Sequence, residues 1–125
     1  MNVDFVPFEL AVKLKDKGFK DKVYAYYNRR EQFFEIYPKQ DINYSMYKCS
    51  APTIHQVLGW LWKEYKIHIE ICISGSGFFY DVYQNVKWQD GKLDWDNMEE
   101  DTLYTEETPE KAYIAAIEYV VNEMI

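Results

Sequence analysis

The chain has 125 residues, 48% hydrophobic and 28% charged, with five Gly and four Pro, which suits one domain spanning 1–125 and excludes disordered, fibrous and low-complexity classes. No apolar run reaches the ~20 residues of a membrane span, and the opening MNVDFVPFEL lacks a basic leader, so a cytoplasmic protein with reduced thiols at Cys49 and Cys72 is expected. The net charge of −7 argues against direct nucleic-acid binding, which wants a basic face.

In chain order, Asp4 as N-cap and Pro7 in the first turn predict a helix over Phe5–Lys17, with Pro7, Leu10, Ala11 and Leu14 on its buried stripe and Gly18 ending it. Lys22–Tyr27 and Gln32–Tyr37 are β-formers joined by Asn28–Glu31, and Pro38 is expected to close the second strand. Met46–Ala51 gives a third, weaker strand. Thr53 and Gln56 form a capping box that opens a helix whose stripe is Ile54, Val57, Leu58, Leu61, Trp62 and Tyr65. Trp60 lies off this stripe, about 240° round from Ile54, and packing beneath neighbouring chain is its simpler use.

Strict alternation makes Ile67–Ile73 a strand, with the four isoleucines on one face and His68, Glu70 and Cys72 on the other. Ser74–Gly77 is a turn and Phe78–Gln89 a strand bent near Gln84-Asn85. Asp90-Gly91 has the composition of a type I′ turn, returning Lys92–Trp95 as a short edge strand. Asp96–Thr105 has no periodicity and is expected to be an acidic loop. Thr108-Pro109-Glu110 opens the last helix, with Tyr113, Ala116, Ile117, Val120 and Met124 as its stripe. The order α-β-β-α-β-β-α predicts an α+β fold, a mostly antiparallel sheet of four to five strands packed by three helices.

Phe8-Glu9-Leu10-Ala11, Gly18-Phe19, Ala25-Tyr26-Tyr27, Ala51-Pro52-Thr53 with Trp60-Leu61, and Thr108-Pro109-Glu110 with Ala115-Ala116-Ile117 together resemble a group of small uncharacterised proteins from genomes, phages and mobile elements of gut Bacteroidetes. The resemblance covers most of the chain through packing and capping residues. It implies a provenance and an intracellular setting, and brings no activity or catalytic residue with it. The stretch Asp90–Glu107 is outside the shared pattern.

Charge supplies the leading functional feature. Asp90–Glu110 holds nine acids against one base, Lys92, while the remainder holds twelve acids and thirteen bases. An acidic solvated loop that only confers solubility is the plainest explanation. The sharper one is a protein-interaction surface: Trp88 and Trp95 as buried anchors, with Asp94, Asp96, Glu99, Glu100 and Asp101 steering a basic partner. A nucleic-acid mimic that occupies a nucleic-acid-binding protein is a stronger version of the same idea. The chain then acts as a non-enzymatic accessory protein without cofactor.

Two readings of other classes stand beside it. A small enzyme would use a polar site around His68, Glu70 and Cys72, although i and i+4 on a strand lie too far apart for a direct thiol–imidazole contact. A homodimer would form through an aromatic surface. Zinc on Cys49, His55, His68 and Cys72 lacks the usual paired spacing. A calcium loop from Asp94 has Asp96 in place but fails at Met98 and Glu99. Ser74-Gly75-Ser76-Gly77 joins two strands and presents no helix N-terminus to a phosphate.

Overall fold

The structure, a computed structural model, describes residues 4–125, with side chains at all of these positions but 97 and 99–104. It is α+β, and its three α-helices and eight strands divide between two compact units, residues 1–57 with 120–125 and residues 58–119.

In the first unit, α1 (Phe8–Asp16) buries Leu10, Ala11 and Leu14 as their spacing requires. It begins three residues later than predicted, with Pro7 rather than Asp4 at the N-cap and no side-chain cap. The preceding backbone is engaged elsewhere. Phe5 bridges Thr53, the Val6 N–H donates to the Pro52 carbonyl (3.0 Å), and the Asp4 carbonyl accepts from the Ile54 N–H (2.8 Å). Extended pairing satisfies these groups as fully as another helical turn would. The far end follows the sequence closely. Gly18 takes φ +90°, and the Phe19 and Gly18 N–H groups donate to the Leu14 and Lys15 carbonyls at 3.0 Å each, the two bonds of a Schellman cap.

Strands β1 (Val23–Asn28), β2 (Phe33–Gln40) and β3 (Lys48–Ser50) form an antiparallel sheet ordered β2-β1-β3. β2 continues through Pro38 instead of stopping before it. As an edge strand it can lack one N–H there, and a bulge opposite Val23–Ala25 absorbs the irregularity. Val23, Ala25 and Tyr27 face inward, while Tyr24 is exposed and Tyr26 half-buried. The Tyr27 hydroxyl donates to the Val6 carbonyl at 2.6 Å.

Helix α2 (Ile54–Tyr65) begins in the first unit and ends in the second. Its capping box forms: the Gln56 N–H donates to Thr53 Oγ1 (3.1 Å) and the Thr53 N–H to Gln56 Oε1 (2.8 Å). Ile54, Val57 and Leu61 are buried, but the stripe does not extend to Trp62, which is 42% exposed. Trp60 takes the inward position at 4% exposure, edge-on to Tyr65 at 5.4 Å. The two tryptophans are about 200° apart around the helix, so one of them had to face out.

The second unit contains β4 (His68–Ser74), β5 (Gly77–Gln84), β6 (Lys87–Gln89), β7 (Lys92–Asp94) and β8 (Asn97–Glu106). The alternation in β4 holds over its first three residues, with Ile69 buried and His68 and Glu70 exposed; Ile71 and Cys72 are both half-buried, and Ile73 emerges at the hairpin end. The predicted strand Phe78–Gln89 breaks at Asn85, whose φ is +54°, into β5 and β6. Asp90 and Gly91 have φ of +52° and +77°, the two positive values of a type I′ turn, and β6 pairs with β7 across them.

The stretch predicted to be an acidic loop is largely a strand. β8 pairs antiparallel with β5, from Gln84↔Asn97 to Phe78↔Glu106, giving the order β4-β5-β8. The open edge of β5 supplies the ladder that local sequence does not encode, and strand preference yields to such context. The strands therefore form two three-stranded sheets and a ribbon rather than one sheet.

Helix α3 (Pro109–Tyr119) opens with the Lys111 N–H on Thr108 Oγ1 (3.2 Å) and packs on β4, β5 and β8. It buries Ala112, Ala116 and Ile117. Beyond it, Val120–Met124 is a π-helical turn closed by the Ile125 N–H on the Val120 carbonyl at 3.1 Å. The wider turn buries Val121 beside Val120 and leaves Met124, predicted on the stripe, only half-buried. No described helix is long and apolar enough to cross a membrane.

Candidate functional site

The acidity of the chain is confined to one unit. Residues 58–119 carry thirteen acids and five bases, whereas the first unit carries eight acids and nine bases. A groove of about 290 Å³ opens on this acidic unit. Trp62, at the end of α2, and Tyr83, on β5, contribute rings, as does Trp95 just after β7; His68 and Glu70 reach in from β4, with Val86 and Leu93 completing the lining.

Strand register accounts for the convergence. His68 is the β4 partner of Tyr83, and Glu70 follows two residues on along the same face. The Tyr83 hydroxyl donates to Glu70 Oε2 at 3.3 Å, and its ring lies 6.1 Å from His68 and 5.1 Å from Trp95. Partial withdrawal of the phenol from water, and then the neighbouring Glu70 carboxylate, push the Tyr83 pKa above its ordinary value. A phenol is protonated at neutral pH in any case, and as a donor this one holds the Glu70 carboxylate toward the rings. Trp62 already engages a cation, since Lys66 Nζ lies 5.1 Å from its ring centroid.

The predicted binding residues separate. Trp95 enters the groove. Trp88 stays 76% exposed on β6 and outside the lining, opposite Leu93. Asp94 and Asp96 are used locally: Asp94 Oδ1 accepts from the Trp95 N–H at 2.9 Å, and Asp96 Oδ2 accepts from the Asn85 side-chain amide. Glu99, Glu100 and Asp101 take their places in β8 opposite Val82, Asp81 and Tyr80, and their side chains lie outside the described residues.

Of the predicted polar trio, His68 and Glu70 line the groove and Cys72 does not; its Sγ lies 3.4 Å from Asp81 Oδ2. Cys49 is buried in the first unit, and burial pushes its thiol up to about 11, so it is not a thiolate at neutral pH. Among the described residues no group of three or more His, Cys, Asp or Glu side chains is placed to hold a metal ion.

Trp62, Tyr83, Val86 and Leu93 are the groove residues that sequence reading missed. For Trp62 a signal existed, because Trp60 and Trp62 cannot share one helix face. For Tyr83 the signal is its partner across the hairpin, which becomes legible only once the turn at Gly75-Ser76 fixes the register. No family model matches the chain, and neither does a curated protein or a solved structure.

Proposed function

We propose that the chain is a non-enzymatic accessory protein that holds a basic segment of a protein partner on its second unit, with a lysine or arginine side chain of that partner in the groove. The observation that carries this reading is the pairing of Trp62, Tyr83 and Trp95 with the Glu70 carboxylate in a unit with eight acids in excess. Ring faces attract a cation, most strongly when water is partly excluded, and a carboxylate at the rim adds an ion pair. The remaining acids of Asp90–Glu110 steer the approach over longer range. This keeps the interaction role expected of the acidic segment, but of its predicted binding residues it centres on Trp95 alone, joined by Trp62, Tyr83 and the β4 residue Glu70. The resemblance to proteins of gut Bacteroidetes phages and mobile elements supports seeking the partner in the cytoplasm of such hosts, among basic, nucleic-acid-binding proteins.

The test is a titration of the protein with a lysine-rich peptide, followed by tryptophan emission, and repeated with a peptide whose lysines are acetylated. Saturable binding is expected with the first, falling with added salt and weakening about tenfold in Trp95→Ala and in Glu70→Gln, in line with a desolvated cation–ring contact. Equal binding by both peptides, or by all three proteins, rejects the reading.

A further inference from the structure

The outer face of the first unit's sheet carries rings and cations in alternation. Tyr26 on β1 stacks on Phe34 of β2, its register partner, with centroids 5.4 Å apart and planes 24° apart. Two residues back along β1, Tyr24 pairs with Tyr37 at 5.8 Å. Phe34 and Tyr37 are 42% and 75% exposed, and exposed rings grouped in one patch mark an interaction surface where a single ring would not.

In each pair a cation lies over the β1 ring, which leaves Phe34 and Tyr37 as the more open rings. Lys48 Nζ lies 4.8 Å from the Tyr26 centroid and Lys39 Nζ 5.8 Å from that of Tyr24. At the end of the same sheet, the Arg29 guanidinium sits 5.0 Å from the Tyr47 ring. Glu35 is the acid at the Tyr37 end, 3.5 Å from the Tyr37 hydroxyl.

We propose that this face binds single-stranded nucleic acid, with bases stacked on the Tyr26–Phe34 and Tyr24–Tyr37 pairs and phosphates met by Lys39, Lys48 and Arg29. Exposed rings present π faces that any unpaired base can cover, and flexible basic side chains track the backbone around them. The two ring pairs are spaced by two strand residues, roughly 6.7 Å at the usual rise, which allows one base to each pair. A duplex hides its base faces, so the rings select single strands. The acidity that disfavours nucleic acid for the chain as a whole belongs to residues 58–119, whereas the first unit carries one base in excess. Lys39, Lys48 and Arg29 outnumber Glu35 around these rings, so a strand of opposite charge complements the surface.

The test is fluorescence anisotropy with labelled oligo(dT) and oligo(U) of about 12 nucleotides, a length within the range of known single-strand sites, at about 50 and about 200 mM salt. The two oligomers separate a DNA site from an RNA site. Binding of at least one is expected. The pair Tyr26→Ala with Phe34→Ala should weaken it tenfold or more, and Lys39→Gln with Lys48→Gln should lower the slope of log affinity on log salt by about 1.4. Lys111→Gln, a cation of the second unit, should leave binding unchanged. If the alanine pair does not fold, Tyr26→Leu with Phe34→Leu keeps apolar bulk and removes the flat rings, and the same loss is expected. Failure to bind either oligomer at low salt overturns the proposal. So does equal binding by the ring variants, or a sedimenting dimer that those variants dissociate.

Discussion

Trp95 and Tyr83 meet edge to face, with ring centroids 5.1 Å apart and planes at 81°. The contact fastens the acidic segment that follows β7 to the middle strand of the second sheet, and it closes one side of the groove. Ring pairs of this geometry add about 0.5–1.5 kcal/mol beyond the area they bury. Trp95 is 44% exposed, so a value near the lower end is expected here. A double-mutant cycle of Trp95→Ala and Tyr83→Ala, read by urea unfolding, should give a coupling of about 0.5 kcal/mol. A coupling of zero would mean that the two rings do not hold each other.

Gly77 governs whether the acidic strand can lie against β5. Its φ is +139°, and a Cβ added there would lie 2.6 Å from the Glu106 carbonyl oxygen. No side-chain rotation relieves a clash between two backbones. Gly77→Ala should therefore push β8 away from β5 and lower stability by more than about 1 kcal/mol, the sum of backbone strain and lost pairing. Hydrogen exchange should show amides of Asn97–Glu106 losing protection while those of α1 keep theirs. Unchanged exchange in that strand would contradict the pairing.

What could be read from the sequence was what short-range chemistry decides. Gly18 at a left-handed position, Thr53 with Gln56, Asp90-Gly91 and Thr108-Pro109 each ended or began an element where the residue types said they would. The misreadings share a different cause. β8 exists because β5 has a free edge, and Asp4–Val6 stays out of the helix because Pro52–Ile54 offers it partners; neither can be seen from local composition. The groove falls between these cases. Trp95, His68 and Glu70 each stood out, but under separate readings, and the β4–β5 register together with the Trp95–Tyr83 contact brings them together.

The capping box of α2 offers a local test. Thr53 Oγ1 takes the Gln56 N–H, and Gln56 Oε1 returns to the Thr53 N–H, while Gln56 Nε2 also reaches the Lys22 carbonyl at 3.2 Å. Thr53→Ala should cost about 1 kcal/mol, measured as a shift in the urea midpoint with unchanged slope. Gln56→Ala should cost at least as much, because it removes the tie to Lys22 as well. A smaller cost for Gln56→Ala than for Thr53→Ala would show that this tie contributes nothing.

Cys49 links stability to alkaline pH. The residue is 7% exposed, and burial raises the thiol pKa from 9.0 to about 11, with Lys15 opposing the shift and Asp16 adding to it. A raised folded pKa means that the folded state holds the proton more tightly than the unfolded chain. The resulting stabilisation is complete below pH 9, where both states are protonated, and is lost as pH rises through 11. A shift of this size corresponds to about 2–3 kcal/mol. Tyr27, itself raised by burial and then by the neighbouring Cys49, adds to the loss in the same direction above its ordinary value of 10.0. Cys49→Ala removes the thiol, so its urea stability should decline by about 2 kcal/mol less than that of the wild type between pH 8 and pH 11. Parallel decline in the two proteins would show that the Cys49 thiol titrates alike in the folded and unfolded chain.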